Sequence, residues 1–253
     1  MDYLKSEHLK FKRTISNKLI FIVPLITAIF AWIMGGYMGY QYMTLYWWYA
    51  FLLPGAIAIL CSLSHRKEEN AGKYYSVFSM PANLSRFEFA KGIILVEKLL
   101  VSAIFLALLI SISNIIAPAT AVYSLLHSIT GSIGIILASV WQIPLCLYLA
   151  RKTGMFVPIV LNTILGIVLS TATALGNTIA WWFVPYCWAA KLAEPLMGIE
   201  MNGTYAGNCG FSIAIMISIS LSILLFLILS YADAKDFSKG EVDRNGFYLC
   251  ASF

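Results

Sequence analysis

Apolar residues run through this chain in near-continuous blocks of about twenty, separated by short polar stretches, without the ten-residue alternation of barrel strands. At a helical rise of ~1.5 Å per residue such blocks match the hydrocarbon thickness of a bilayer. The pattern predicts helices over residues 19–40, 46–64, 99–117, 127–150, 154–176 and 211–231. A helix pairs its own backbone N–H and C=O groups, which hydrocarbon demands. Ahead of the first block, Leu4, Phe11, Ile15 and Leu19 recur at helical spacing, with Lys10, Lys12, Arg13 and Lys18 on other faces. Residues 1–18 are therefore predicted to form a helix lying in the membrane interface. The expected fold class is all-α: a polytopic membrane protein with six transmembrane helices over 19–231, a long loop at 65–92, a helical outer segment at 177–210 and a tail at 232–253.

Composition agrees with that reading. Hydrophobic side chains make up 60% of the 253 residues and charged ones 11%, with a mean hydropathy of +0.81, so lipid is the expected solvent. The formal charge of +5 would suit nucleic acid in a soluble protein, but these charges lie between spans. Lys5, Lys10, Lys12, Arg13, Lys18, Arg66, Lys67, Lys73, Arg86, Lys91, Lys98, Arg151, Lys152, Lys235, Lys239 and Arg244 fall on one side, and Lys191 alone on the other. The positive-inside rule then predicts cytoplasmic termini. The charged start, with no small-residue cleavage site after the first block, predicts that no signal peptide is removed.

Aromatic residues gather at two outer positions. Tyr37, Tyr40, Tyr42, Tyr46, Trp47, Trp48 and Tyr49 form one group, and Trp181, Trp182, Tyr186 and Trp188 the other. Both are predicted to be headgroup-level belts, and the absence of interleaved Arg and Lys argues against a nucleic-acid stacking platform. The five cysteines form no framework. Cys187 and Cys209 share the outer side, where they either pair in a disulfide or stay unpaired.

Several chemistries are excluded or disfavoured. No Asp, Glu, Lys or Arg lies within the predicted hydrocarbon stretches, which argues against proton or sodium coupling. Gly72-Lys73 is followed by Tyr74 where a phosphate-binding loop needs Ser or Thr, so no nucleotide site is expected. Glu68-Glu69 is followed by Lys73, not Arg, and His127 is the one downstream histidine, so neither a protease site nor a metal site is expected. Asn114, Gln142 and Asn162 are read as bridges between helices, and Pro24, Pro54, Pro144 and Pro158 as potential kinks. Gly35 and Gly39 form one small-xxx-small pair for close packing or dimerisation.

The 65–92 loop carries more pattern than a tether needs. Asn70 suits the N-cap of a short helix ending before Pro81, with Tyr74, Tyr75 and Phe78 on one face. Ser85 and Glu88 then form a capping box that opens a second helix running through Lys91 toward the third span. The order Glu69, Gly72, Ser79, Pro81, Arg86 and Lys91 resembles the first cytoplasmic loop of ABC-2-type exporter permeases. That resemblance implies a coupling helix seated in a groove of a separate ATPase subunit, with Glu69, Gly72, Tyr74, Tyr75, Phe78, Ser79, Pro81 and Arg86 as docking residues. It also implies that the interfacial 1–18 helix is the elbow helix of that family.

A narrower resemblance runs through Trp181 to Tyr186, Lys191-Leu192, Glu194-Pro195, Gly198-Ile199 and Asn202-Gly203, and through the opening Glu7-His8-Leu9-Lys10-Phe11-Lys12-Arg13. These segments are similar to the MutE/EpiE-like permeases of lantibiotic-immunity exporters, with Lys191 and Met201 departing from the group's Arg and Pro. The resemblance implies two ATPase subunits that carry ATP and Mg, no cofactor on this chain, and a second permease subunit of a related but different sequence. It further implies a bacterial plasma membrane and a cationic, membrane-active peptide substrate. Trp181, Trp182, Tyr186, Trp188, Glu194 and Glu200 are candidate substrate contacts, with belt anchoring the alternative for the aromatics. An exporter of another amphipathic cargo, such as a drug or lipid, and a non-transporting scaffold or sensor subunit are the competing readings.

Overall fold

The computed structural model describes residues 15–70 and 84–250, excepting the side chains of 84–86 and 238–250. The described chain is helical almost throughout: α1 (Ile15–Trp47), a π-helical turn (Trp48–Leu52), α2 (Leu53–Asn70), α3 (Leu84–Ile116), α4 (Leu125–Ser139), α5 (Gln142–Thr153), α6 (Phe156–Ser170), α7 (Thr173–Gly176), α8 (Cys187–Met197) and α9 (Ile213–Cys250). The stretches Ile15–Asn70, Phe87–Ile116 and Ile213–Phe237 are long and apolar enough to cross a membrane, and α4 with α5 makes a fourth if that bent pair is one crossing. α3 packs against α1, α4 and α9, α2 against α5 and α6, and α8 against α4 and α9.

α1 is not one rod. Along a straight helix Phe30 and Trp47 would stand roughly 25 Å apart, yet their ring centroids lie 5.0 Å apart, and those of Trp32 and Tyr40 lie 6.0 Å apart. The chain doubles back at Gly36, whose φ of 55° and ψ of −161° suit a residue without Cβ. Two packed arms, 15–35 and 37–70, result. A Cβ on Gly35 would meet Met43 Cγ at 2.9 Å, so this glycine of the small-xxx-small pair closes a hairpin within the chain. The turn between the first two apolar blocks thus falls earlier than residues 41–45, because the glycine, not the aromatic cluster, can take the reversing conformation.

Helix α6 shows which solvent the bundle is built for. Its buried stripe is Pro158, Asn162, Gly166 and Ser170, while Phe156, Val160, Ile164 and Val168, also four apart, are exposed. α9 repeats the arrangement, burying Ser218 and Ser222 while exposing Leu224, Leu227 and Ile228. Small and polar residues inside with large apolar ones outside inverts the pattern of a soluble helix. It is the packing expected where lipid covers the exterior and close backbone approach holds the interior.

Prolines shape two of the helices. Pro144 has no N–H for the carbonyl of Val140, which accepts from Ile143 N at 3.0 Å instead, and α4 and α5 meet there at 47°. Pro54 likewise leaves the carbonyl of Ala50 without its helical donor, and the preceding turn widens to a π-helix in which Leu53 N bonds the carbonyl of Trp48. Opposite this turn, Gly166 admits Pro54, whose Cγ would lie 2.8 Å from any added Cβ.

The polar span residues bridge helices as the sequence predicts. Asn162 Nδ2 donates to the carbonyl of Pro54 at 2.7 Å and to Gln142 Oε1 at 2.9 Å, and Tyr186 OH donates to Asn162 Oδ1 at 2.7 Å. One buried side chain thereby ties α2, α5, α6 and the start of α8. Gln41 makes a second such tie: its Oε1 accepts from the backbone N of Val122 and Tyr123 at 2.7 and 2.8 Å, its Nε2 donates to Ser113 Oγ at 2.7 Å, and Asn114 Nδ2 donates to the carbonyl of Tyr123 at 2.9 Å. Tyr123 OH then donates to the carbonyl of Met197 at 2.6 Å, fixing the end of α8 to the bundle.

One expectation needs correction. The residues expected as the first belt are largely core: Trp48 is 0% and Tyr49 2% exposed, because the reversal at Gly36 turns them inward against α6 and α8. Tyr37 remains exposed, as do Trp32 and Trp182. Helix α9 continues from its apolar stretch through Cys250, into the residues expected as the tail.

Asn162→Ala is expected to destabilise the protein by about 1–2 kcal/mol, because it leaves the Tyr186 hydroxyl and the Gln142 side chain short of a partner. Val160→Ala on the lipid-facing stripe should stay within about 0.5 kcal/mol of the parent. Unfolding of the two variants in mixed detergent micelles measures the difference.

Candidate functional site at the charged end of the bundle

The two ends of the bundle differ in chemistry. One carries the Gly36 turn, the 117–124 connection and the aromatic 177–212 segment. At the other, α2 ends, α3 begins, α5 ends and α9 continues beyond its apolar stretch.

Lys91 lies at the centre of this second end. Its side chain is 2% exposed, and Nζ donates to Glu68 Oε2 at 2.7 Å and to Glu88 Oε1 at 3.0 Å, with the Phe87 ring centroid 5.2 Å away. Glu68 belongs to α2, while Glu88 precedes Lys91 by one turn of α3. Glu88 Oε1 also lies 4.0 Å from Arg151 Nη1 at the end of α5. The other guanidinium nitrogen of Arg151 pairs with the Asp233 carboxylate on α9 and lies 3.6 Å from Asp236 Oδ2, and the Phe237 ring sits 5.0 Å from the guanidinium. Lys152 completes the chain with a 3.0 Å contact to Asp236. Charges alternate from α2 through α3 and α5 to α9.

Local sequence explains the placement. Glu88 and Lys91, and Asp233 and Asp236, are each spaced to share a helix face. Arg151 and Lys152 occupy the last turn of α5, where cations complement the helix dipole, and Gly154 with φ 81° ends the helix there.

Such a network resists piecemeal movement. Glu68, Glu88, Lys91 and Asp233 are all buried, and separating one partner would leave a dehydrated charge uncompensated. The four helix ends are therefore held as one joint. The 71–83 connection leaves α2 two residues after Glu68 and enters α3 four residues before Glu88, so a force on that connection meets the joint first.

Of the sequence-predicted docking residues, Glu69 borders this joint. Glu69 sits at the end of α2 with a largely exposed side chain 3.8 Å from His65 Nε2. Gly72, Tyr74, Tyr75, Phe78, Ser79 and Pro81 lie outside the described residues, as does the side chain of Arg86. The capped start near Ser85 is matched by a helix beginning at Leu84, which runs unbroken into the third apolar block. Sequence reasoning placed Glu68 in the 65–92 loop, Glu88 and Lys91 on the helix leading from it to the third span, Arg151 in a connection and Asp233 and Asp236 in the tail, and did not pair them. The available signal was the i, i+3 pairing of charges on helices that continue past their apolar stretches.

At the aromatic end the candidate contacts divide. Trp181, Glu194 and Glu200 line one cavity, and Trp182 is exposed. Tyr186 and Trp188 are 8% and 4% exposed, packed around Trp141, with Trp188 Nε1 donating to the carbonyl of Trp182. They are neither belt residues nor open to a ligand, because each spends its polar atom inside the fold. Cys187 and Cys209 are unbonded: the buried Cys187 thiol donates to the carbonyl of Leu169 at 3.1 Å, and Cys209 is exposed. Burial pushes the Cys187 thiol up to about 11.

An inside-out helical bundle whose charges concentrate in one joint is an integral membrane protein. The profile of the ABC-2 family transporter proteins matches residues 3–169, and the chain belongs to that family of membrane transport subunits. The matched stretch runs from before α1 to the penultimate residue of α6 and includes the connection between α2 and α3. Members of the family generally work with an ABC ATPase. No curated protein and no solved structure matches the chain.

Lys91→Met is expected to destabilise the protein by about 3–5 kcal/mol, since it leaves the buried Glu68 and Glu88 carboxylates without their shared cation. Adding Glu68→Gln and Glu88→Gln to Lys91→Met should recover part of that loss. Thermal unfolding of the purified variants in detergent measures both effects.

Proposed function

We propose that this chain is the membrane-spanning permease subunit of an ATP-driven exporter. The charged end faces the cytoplasm, and the 71–83 connection docks in a partner ATPase that binds ATP and Mg. The two arms of α1–α2, together with α3, the α4–α5 pair, α6 and α9, make six crossings with both termini inside. The observation that carries the reading is the charged joint. A permease without its own energy source needs a rigid link between the docking connection and its spans, and Glu68–Lys91–Glu88–Arg151–Asp233 supplies one beside that connection.

Six crossings form half of a transport pathway, so the subunit pairs with a second, related permease and two ATPase subunits in a bacterial plasma membrane. Its cargo is a lantibiotic-type cationic peptide removed from the membrane to protect the cell. Support for that cargo comes from the resemblance of the 181–203 segment to the MutE/EpiE-like permeases. A drug or lipid cargo fits the same spans.

Substituting Tyr75, Phe78 and Pro81 by Ala should leave membrane insertion unchanged while abolishing co-purification of the ATPase and lowering peptide resistance to that of cells lacking the permease. Unchanged resistance would favour a scaffold or sensor subunit.

A further inference from the structure

The aromatic end carries a half-open cavity of about 440 Å³, within the ~300–1,000 Å³ range of ligand pockets. Its floor is one stripe of α8, in which Lys191, Glu194, Pro195 and Gly198 follow one another at i, i+3, i+4 and i+7. The remaining faces of α8 are core, with Trp188, Leu192, Ala193 and Met197 all buried. α8 thus turns its only charged side chains toward this cavity. Trp181, Glu200, Asn208 and Ser212 complete the polar lining.

The charges are unbalanced. Lys191 is the single cation, its side chain is 13% exposed, and its Nζ is held by Glu194 Oε2 at 2.6 Å. Glu200 receives a hydrogen bond on Oε2 from Thr204 Oγ1 at 2.8 Å. One oxygen of each carboxylate accepts no hydrogen bond from the described residues, so the lining carries one net negative charge and spare acceptors. A group rich in donors and bearing one positive charge neutralises it. Trp181 adds an aromatic side chain to the lining.

We infer that this cavity binds the primary ammonium group of an amphipathic molecule at the outer face of the membrane, with Glu194 and Glu200 as its acceptors. Lys191 is the internal counter-ion that keeps Glu194 neutralised while the cavity is empty. The inference deepens the transport reading and rests on it for the orientation of the bundle. The ammonium comes either from a peptide side chain or from an aminophospholipid headgroup.

Binding of N-octanoyl trilysine amide to the purified protein in dodecyl maltoside, followed by microscale thermophoresis, tests the assignment. Saturable binding is expected, with Kd raised at least tenfold by Glu194→Gln with Glu200→Gln, and raised similarly by Asn208→Lys, which places a fixed cation on an exposed loop without touching the core. Lys191→Gln should lower Kd severalfold, because it frees a carboxylate. The same probe with its ε-amines acetylated should not bind. Adding phosphatidylethanolamine to the micelles separates the two sources: competition assigns the site to headgroup amines, and unaltered affinity assigns it to peptide amines. Unchanged Kd in the Gln variant, weaker binding in Lys191→Gln, or equal binding of the acetylated probe would overturn the inference. Failure of the transport reading is distinguishable, since loss of ATPase association by the wild-type chain would remove that reading while leaving the binding result intact.

Discussion

An ammonium group with a 2% exposed side chain is stable only where carboxylates replace its hydration. Lys91 meets that condition by drawing Glu68 and Glu88 to within 3.0 Å, and the second of these faces Arg151, which in turn holds Asp233 and Asp236. Each charge justifies the next. The consequence is mechanical: the ends of α2, α3, α5 and α9 share one set of interactions, and none can shift without exposing a bare charge to low dielectric. Because the connection between α2 and α3 leaves and returns beside this set, the joint is where motion of a docked partner would enter the spans.

Beyond the joint the bundle is held by close packing. Gly166 against Pro54 and Gly35 against Met43 leave no slack between neighbouring helices, and Asn162 links four segments with three hydrogen bonds. At the far end Gln41 and Tyr123 connect the Gly36 hairpin to the terminus of α8, which forms the floor of the cavity at the aromatic end. A continuous path of packed and hydrogen-bonded groups therefore runs from the charged joint to that cavity. Lipid-facing stripes such as Phe156, Val160, Ile164 and Val168 lie off this path.

Much of the architecture was legible in the sequence, for physical reasons that also mark where legibility ended. Long apolar blocks announce helices because hydrocarbon forbids unpaired backbone, and the absence of charge within 99–117 agrees with the structure. Asn162 and Gln142 could be read as bridges because a polar group in an apolar span must find a partner. The position of the first reversal was hidden, since Tyr40 to Tyr49 look like an interfacial belt whereas the φ of Gly36 decides the turn. The joint was hidden for a different reason. Charges flanking an apolar block serve equally as topology signals or as buried pairs, and only the continuation of α3 back to Leu84 and of α9 past Tyr231 brings them together. Tyr186 and Trp188 looked like contacts for the same reason that makes them good core residues, an apolar body with one polar atom.

The central claim is that motion of an ATPase partner reaches the spans through the Lys91 joint. Nitroxides at Arg66→Cys on α2 and Tyr231→Cys on α9, both exposed positions, in a Cys209→Ser, Cys250→Ser background report it by pulsed EPR on the assembled complex. The distance distribution is expected to shift between the nucleotide-free and vanadate-trapped states, and to stop responding to nucleotide in Lys91→Met while the ATPase remains bound. An identical shift with and without Lys91 would contradict the account.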